Sequence, residues 1–294
     1  FFVRALKRVD FPTLGRPTIP TDKDIGYYVI LSFMENLLKE ISLVPKDKKL
    51  IVFDLDGTLT ESKSDMDVEM AELMASLLEK KKVAVIGGAN YETLQSQFLF
   101  KLQVQPESLK NLFLFPTTAT IFYRFNGSEW EEVYRDELTE EEKKEVLSGF
   151  ENTFRELGYR HPEKIYGDII EDRGTQMTFS ALGNKAPLEA KEKWNKENQD
   201  IRSKIEKVLQ KNLPDMEAKV AGLTSIDVTR KGVDKGYGIK QINKHLDVPL
   251  EEMLFVGDAF FPEGNDEAVL KTGVLCFEVK GVEDTKKLVR HFIE

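Results

Sequence analysis

Two aspartates that follow an apolar run are the residues of this chain best suited to covalent chemistry. Asp54 and Asp56 stand in residues 54–60 (DLDGTLT), directly after residues 49–53 (KLIVF). The apolar run predicts a buried parallel strand, and ligands bind beyond the carboxyl ends of such strands. One carboxylate there can attack phosphorus while its neighbour exchanges a proton with the leaving and incoming oxygens. We therefore expect Asp54 to be the nucleophile and Asp56 the acid/base of a phosphoryl-transfer reaction, in preference to an ordinary Asp-Gly turn.

A second group of polar residues follows another predicted strand near the end of the chain. Asp258 comes directly after Gly257, and Asp266 follows Asn265. Carboxylates from neighbouring strand ends suit a hard cation such as Mg²⁺, which takes oxygen ligands. Such a cation screens a negative nucleophile from a negative phosphate. Alone, these residues would indicate a turn and a helix cap; together with Asp54 they favour a magnesium site.

Two weaker signals complete the predicted site. Lys235 lies just inside a predicted helix, where its ammonium can stabilise the charge on a transferring phosphoryl group. Gly87 and Gly88 end a predicted strand, where exposed backbone N–H groups can hold a phosphate. In isolation these would be a surface lysine and a tight turn. The three histidines form no constellation, and Cys276 sits in an apolar stretch typical of core packing.

The composition narrows the class of partner. The chain has 294 residues and a formal net charge of −9, which is long enough for one large or two modest domains and disfavours nucleic acid as a partner. A single cysteine excludes a disulfide within the chain and is typical of a cytoplasmic protein. Residues 25–34 are the most apolar run, and they are too short to span a bilayer, so we expect no membrane partner.

The predicted elements that position these residues follow an α/β rhythm with an interruption. Strands and helices alternate from residue 49 to 115, which predicts a doubly wound, mostly parallel, Rossmann-like sheet. A hairpin around Asn126-Gly127 and a capping box that begins at Thr139 then break the rhythm. We predict an extension that is not native or is disordered at residues 1–33, a core at 34–137 and 227–294, and an inserted α+β cap at 138–226.

Taken in chain order, these motifs resemble those of the haloacid dehalogenase superfamily, in its subclass IIB with an α/β cap. Further stretches are similar to the phosphomannomutase branch of that superfamily, namely residues 173–175 (RGT) and 233–237 (VDKGY). The resemblance implies that Mg²⁺ is held by Asp54, the carbonyl of Asp56 and Asp258, with Asp266 nearby. It also implies a cap that closes over a small phosphorylated substrate, a sugar phosphate. We further consider a homodimer formed through the cap surface.

The chain departs from that branch at two places. Ala89 and Asn90 follow the glycine pair where the branch carries a serine, and Asn184-Lys185 stand where it carries a cap arginine. We expect phosphate or substrate contacts from Gly87, Gly88, Asn90, Arg173 and Lys185. Lysine lacks the planar fork of arginine, and a mutase must hold a bisphosphate in two orientations. We therefore favour a phosphatase, keep a phosphomannomutase-like isomerase as the alternative, and consider a non-catalytic binding module less well supported.

Overall fold

The computed structural model describes residues 36–61, 64–198, 200–262 and 264–294. The predicted extension at residues 1–33 lies outside these ranges. Within them, twelve strands form two separate sheets. In chain order the strands are β1 Leu37–Leu38, β2 Leu50–Asp54, β3 Lys82–Ile86, β4 Leu112–Phe115, β5 Ile121–Phe125, β6 Trp130–Arg135, β7 Ile170–Asp172, β8 Met177–Ser180, β9 Met216–Ala221, β10 Ser225–Arg230, β11 Met253–Gly257 and β12 Leu275–Glu278.

Four helices of the described residues begin at a side chain that accepts a hydrogen bond from the first turn, on Asp67, Asn90, Thr139 and Asp234. Thr139 and Glu142 form the predicted capping box, and Gly158 ends the same helix with a φ of 60°. The helices are α1 Val68–Leu78, α2 Tyr91–Gln97, α3 Pro106–Leu109, α4 Glu140–Leu157, α5 Leu188–Glu197, α6 Ile201–Asn212, α7 Lys235–Leu246, α8 Glu267–Leu270 and α9 Val282–Ile293. Short 3₁₀ turns lie at Ile41–Leu43, Leu99–Lys101 and Leu250–Glu252. None of the helices in the described ranges combines the length and apolar character that a membrane span requires.

The large sheet has eight strands in the order β1-β12-β11-β2-β3-β4-β5-β6. The strands from β1 to β4 in this order pair in parallel, and the β5–β6 hairpin adds an antiparallel edge. This order places the carboxyl ends of β11, β2 and β3 side by side. Loops that leave these three strands therefore meet at one edge of the sheet, which is where a doubly wound sheet binds its ligands.

The two faces of the large sheet are both covered. Every residue of β2 is buried. Ile51 and Phe53 pack in an apolar cluster with α1 and α9, whereas Leu50 and Val52 pack in a second cluster with α7. Alternate side chains of a strand point to opposite faces, so helices cover both sides of β2. Full burial of Phe53 contributes about 1.5–3 kcal/mol relative to an exposed side chain, and it fixes the strand that ends at Asp54.

The small sheet is antiparallel throughout, in the order β7-β8-β10-β9. Its strands and the helices α4, α5 and α6 lie in the chain between β6 and β11. A separate apolar cluster packs α4 and α6 against this sheet, with Phe150, Phe179 and Leu209 fully buried. The sheet thus has a core of its own, distinct from the two clusters of the large sheet.

The predicted fold class is confirmed: a large, mostly parallel α/β sheet is interrupted in sequence by an α+β region. The boundaries at 137/138 and 226/227 remain predictions; strand β10 crosses the second of them. The sequence also predicts a short helix over residues 34–43, and this prediction is wrong for residues 36–43. Leu37 and Leu38 instead extend the sheet by pairing with Cys276 and Phe277, because an open parallel edge offers unpaired backbone groups.

Candidate active site

Three charged side chains form a buried cluster at the carboxyl edge of the large sheet. The Lys235 ammonium lies 2.8 Å from Oδ1 of Asp54 and 2.6 Å from Oδ1 of Asp266. All three side chains are at most 4% exposed. Buried charges persist in this way only when they are paired. The structure therefore brings together Asp54, Lys235 and Asp266, which the sequence predicted as nucleophile, cation and metal neighbour.

Lys235 is the first residue of helix α7, and the start of this helix places its side chain in the cluster. The Asp234 carboxylate caps the helix by accepting a hydrogen bond from the Tyr237 amide at 2.8 Å. A Cβ added to Gly236 would lie 2.7 Å from the Ala268 carbonyl oxygen. Only a residue without a side chain allows α7 to pass this close to α8, so the sequence around Lys235 fixes both the start and the depth of the helix.

Burial and the charges of neighbouring groups shift the pKa values of Asp54 and Lys235. Burial raises the pKa of Asp54 to about 6; Asp266 adds to the rise and Lys235 opposes it. Burial by itself would lower the pKa of Lys235, but the carboxylates of Asp54 and Asp266 outweigh it and raise that pKa. Lys235 is therefore a fixed cation at neutral pH, set directly against the candidate nucleophile.

The loop after β2 folds back on its own carbonyl group. The Leu55 carbonyl accepts hydrogen bonds from the amides of Leu59 and Thr60 at 2.9 and 3.0 Å. Gly57 has a φ of +79°, and a Cβ there would lie 2.4 Å from Oδ2 of Asp258. The glycine is thus required twice, for the left-handed turn and for the approach of Asp258. Asp56 is half-buried in this loop, one residue from the turn.

The acidic residues of this edge fit a magnesium ion. Oxygens of Asp54, Asp258 and Asp266 lie within 4.8 Å of one another. Oδ2 of Asp54 is buried without a hydrogen-bond partner among the described residues, an arrangement that a metal ion would satisfy. Both oxygens of Asp266 are already engaged, by Lys235 and by the Ala259 amide at 2.9 Å. Asp54 therefore has more free coordinating capacity than Asp266, and the carboxylate of Asp56 is not part of this cluster.

Of the predicted glycine pair, Gly87 lies beside Asp54. A Cβ added to Gly87 would lie 4.0 Å from Oδ1 of Asp54, and one added to Gly88 would meet open space. Asn90 is exposed, and its side-chain oxygen caps α2 by accepting a hydrogen bond from the Thr93 amide at 2.9 Å. Gly87 thus lies beside the candidate site and Gly88 is exposed, whereas the Asn90 oxygen starts a helix.

The two predicted cap residues lie in loops of the small sheet: Arg173 directly follows β7, and Lys185 lies between β8 and α5. Arg173 donates from Nε and NH2 to Oε2 of Glu171, at 3.0 and 2.8 Å. Lys185 is exposed, and the neighbouring Asn184 uses its side-chain oxygen to accept a hydrogen bond from the Asp168 amide at 3.0 Å. Among the described residues, no hydrogen bond or ion pair joins Arg173 or Lys185 to the Asp54 cluster.

Sequence reasoning missed a polar group on the small sheet. Oδ1 of Asp227 accepts a hydrogen bond from the Thr178 hydroxyl at 2.8 Å, and Thr178 in turn accepts one from Gln176 at 2.9 Å. Burial raises the pKa of Asp227, while Thr178 and the nearby Arg173 oppose the rise. The alternation in residues 225–230 (SIDVTR) was the available signal, since it places Asp227 opposite the apolar face of Ile226 and Val228.

A left-handed turn beside the glycine pair was also missed. Thr117, Thr118 and Ala119 follow β4 with φ values of 48°, 58° and 61°. Non-glycine residues avoid this region, at a cost of about 1–2 kcal/mol per residue, and β-branched threonines avoid it most. Residues 116–120 (PTTAT) contain neither Gly nor Asn, so nothing in the sequence indicated three successive left-handed residues.

Comparison with known proteins adds family information to this geometry. The family model described as eukaryotic phosphomannomutase matches residues 70–294. The chain is 28% identical over 259 residues to the phosphomannomutase of Saccharomyces cerevisiae, covering 86% of this chain and 97% of that protein. It is 29% identical over 225 residues to the phosphomannomutase of Encephalitozoon cuniculi, covering 75% of this chain and 83% of that protein.

Solved structures share the fold at low sequence identity. An IMP-nucleotidase from Plasmodium falciparum superposes with a TM-score of 0.62 at 17% identity, covering 86% of this chain and 64% of that one. A trehalose-6-phosphate phosphatase from Aspergillus fumigatus gives a TM-score of 0.53 at 16% identity, covering 95% and 99%. At these identities the likeness concerns the arrangement of the two sheets and not the choice of substrate.

Proposed function

We propose, from the premise that the chain belongs to the eukaryotic phosphomannomutase family, that it transfers a phosphoryl group between positions of a hexose phosphate through an aspartyl-phosphate on Asp54. The observation that carries this proposal is the buried contact of Asp54 with Lys235. A nucleophile and a cation at 2.8 Å offer attack on phosphorus and stabilisation of the charge that develops on its oxygens. This reverses the order of preference that the sequence alone suggested.

The residues at the carboxyl edge have separate roles in the proposed reaction. Asp54 attacks phosphorus, and Asp56 gives a proton to the leaving sugar oxygen and takes one from the incoming hydroxyl. Lys235 holds its ammonium next to the transferring group, and the amides of the glycine pair bind the phosphate oxygens. Asp54 and Asp258 would hold Mg²⁺, which when bound supplies charge neutralisation at the transferring group. Arg173 and Lys185, in loops of the small sheet, and Asp227, on β10, would contact the sugar phosphate.

A second candidate function is hydrolysis, with water as the acceptor. The observation that favours it is the pair Asn184-Lys185: the Asn184 oxygen holds the Asp168 amide, and Lys185 is an exposed point charge. Neither offers the bidentate fork with which arginine grips a distal phosphate. A weak grip on the second phosphate of a bisphosphate would release it before transfer is complete.

Whether a sugar hydroxyl or water accepts the phosphoryl group is tested by ³¹P NMR. The conversion of mannose 1-phosphate is followed in the presence of Mg²⁺, with and without a hexose 1,6-bisphosphate. The mutase predicts that mannose 6-phosphate accumulates faster than inorganic phosphate and that the bisphosphate accelerates it. Release of inorganic phosphate alone would support the hydrolase instead. Turnover of neither mannose 1-phosphate nor p-nitrophenyl phosphate would overturn both, provided that the protein is folded by circular dichroism.

A further inference from the structure

The left-handed turn Thr117–Ala119 holds the loop of the glycine pair through two backbone hydrogen bonds. The Thr117 amide donates to the Ala89 carbonyl at 2.9 Å, and the Thr118 amide donates to the Gly87 carbonyl at 2.8 Å. Strands β3 and β4 are parallel neighbours that pair Ile86 with Phe115. The loop and the turn therefore leave the sheet side by side, and the turn is the element that fixes the loop's peptide planes.

The direction of those carbonyl groups sets the direction of the amides next to them. In a trans peptide the C=O and the following N–H point to opposite sides. Because the Gly87 carbonyl points at the turn, the Gly88 N–H points away from it. Gly88 is exposed and has no neighbouring atoms where a Cβ would be, and Gly87 lies against Asp54. The turn thus leaves the Gly88 amide available for an anion bound beside Asp54.

The other side of the same turn packs on the helix that carries Lys235. A Cβ added to Gly238 of α7 would lie 3.3 Å from Cβ of Ala119 and 2.2 Å from the Ile86 side chain. Ala119 is fully buried, and its carbonyl accepts a hydrogen bond from the Tyr134 hydroxyl at 2.7 Å. One turn therefore contacts both the glycine loop and the helix of the cation.

A buried hydroxyl holds the strained backbone in place. Oγ1 of Thr120 lies 2.8 Å from the Thr117 carbonyl oxygen and 2.7 Å from Oγ1 of Thr117. Both threonines are buried, at 3% and 6% exposure. Three left-handed residues do not persist by their own preference, and such strain is found where the surrounding structure determines it. The Thr120 hydroxyl is one of the contacts that determine it.

We propose that the turn Thr117–Ala119, held by the Thr120 hydroxyl, is a positioning element that fixes the phosphate-binding loop of residues 87–89 relative to Lys235, so that Thr120 is a positioning residue for phosphoryl transfer. This inference rests on the proposed function of Asp54. Thr120 contacts no reacting atom; it acts through the turn on the Gly88 amide, whose direction matters because a donor stabilises the transition state only when it is aimed at the developing charge.

The test compares kcat/KM for p-nitrophenyl phosphate and mannose 1-phosphate in Thr120→Val, which removes the hydroxyl and keeps the shape. We expect kcat/KM to fall about 10- to 100-fold with both substrates, mainly in kcat, because a small misplacement of a positioned group has effects of this size. Thr120→Ser keeps the hydroxyl and is expected to retain wild-type kinetics. Hydrogen–deuterium exchange of residues 84–90 is expected to be faster in Thr120→Val only.

Two further variants separate positioning from stability. Thr118→Gly lowers the cost of the left-handed backbone, so Thr118→Gly/Thr120→Val is expected to recover most of the lost kcat/KM. Thr153→Val is the matched control, because Thr153 is a buried threonine of α4 whose hydroxyl accepts a hydrogen bond from Asn212. We expect it to lower Tm without changing kcat/KM. Should Thr120→Val not fold, Thr117→Val is expected to lower kcat/KM about 3- to 10-fold.

The outcomes distinguish this inference from the function on which it rests. If the wild-type protein is active and Thr120→Val or Thr117→Val keeps its kcat/KM and its exchange rate at residues 84–90, the inference is wrong and the proposed function stands. An unchanged kcat/KM in the double variant relative to Thr120→Val also contradicts the inference. If the folded wild-type protein turns over neither substrate, the proposed function is wrong and the inference falls with it.

Discussion

Among the described residues, two lysines are almost completely buried, yet their surroundings differ. Lys235 is 3% exposed at the carboxyl edge of the large sheet, and Lys286 is 5% exposed where α9 packs on α1. The carboxylates beside Lys235, on Asp54 and Asp266, are at most 4% exposed. Those beside Lys286, on Asp67, Glu69 and Glu283, are 49%, 52% and 76% exposed.

The difference separates a structural ion cluster from a reactive one. Around Lys286 the carboxylates retain most of their hydration, so the cluster stabilises the contact of two helices at little desolvation cost. Around Lys235 every charge has lost water, and one oxygen of Asp54 has no hydrogen-bond partner among the described residues. Complete desolvation with one group left unsatisfied is typical of a site completed by a ligand.

The largest expected effect follows from replacing the nucleophile. Asp54→Asn keeps the shape of the side chain but cannot form an aspartyl-phosphate, so kcat for p-nitrophenyl phosphate should fall on the order of 10⁴-fold or more. Glu69→Gln, at the Lys286 cluster, is the control and should leave kcat unchanged. Retention of kcat in Asp54→Asn, measured with Mg²⁺ present, would remove the distinction between the two clusters.

The next effect compares the two lysines directly. Lys235→Met leaves two buried carboxylates without their cation, so we expect a loss of stability of about 3–5 kcal/mol and a fall in kcat of about 10²- to 10³-fold. Lys286→Met should lower stability less and leave kcat unaltered, since solvent can take over the hydration of its partners. Urea unfolding and steady-state kinetics measure both. Equal kinetic losses in the two variants would show that burial alone, and not the site, explains the effect.

The ion pair of Arg173 with Glu171, next to the small sheet, is intermediate in burial between the two lysine clusters. The side chains of Arg173 and Glu171 are each 33% exposed, between the two lysine clusters. Arg173→Ala should lower kcat/KM for mannose 1-phosphate about 10- to 100-fold, the value of a charge-assisted hydrogen bond to phosphate, and should spare p-nitrophenyl phosphate. Arg124→Ala, which breaks the exposed pair with Glu131, is the control. Equal losses with both substrates would contradict a contact to the sugar phosphate.

The smallest expected effect concerns pH. Despite some burial, hydrogen bonds from the Met70 amide and Lys286 lower the pKa of Asp67, and Lys286 lowers the pKa of Glu69. Because the folded-state pKa values lie below the unfolded ones, the stabilisation is present above about pH 4 and is lost as pH falls through the folded values. The Tm difference between wild type and Lys286→Met should thus be about 2–4 °C at pH 7 and shrink below pH 4. A Tm difference that grows on acidification would contradict this prediction, because it would mean that folding raises these pKa values.

The sequence was most informative where a local pattern, such as an apolar run or a helix cap, corresponds to a single strand or helix. The apolar run before Asp54 and the run before Asp258 predict β2 and β11, and the order of these strands brings the two aspartates together. Lys235 follows a clear helix cap, Asp234. For these residues the local pattern determines both the element and its end, and the strand order then brings the carboxylates of Asp54, Asp258 and Asp266 within 4.8 Å of one another.

The features that were missed depend on contacts between distant parts of the chain. The left-handed turn at Thr117 exists because Ala89, Tyr134 and Gly238 surround it, and no local preference indicates it. Leu37 and Leu38 form a strand because β12 offers them an edge. The polar group at Asp227 needs the register of β8 on β10. Tertiary context decides such cases over local propensity.

The contacts of Arg230 have a consequence for how such a chain can be altered. This residue ends β10 and pairs with Asp136 and Glu142, which lie where the chain first leaves β6. The segment between them therefore begins and ends at the same place in the fold. For the large sheet it is equivalent to a closed loop, and the entropic cost of closing a loop grows only slowly with its length. We therefore expect that an α+β segment of another size, or a designed one, can be spliced at this point with β1–β6 and β11–β12 unchanged.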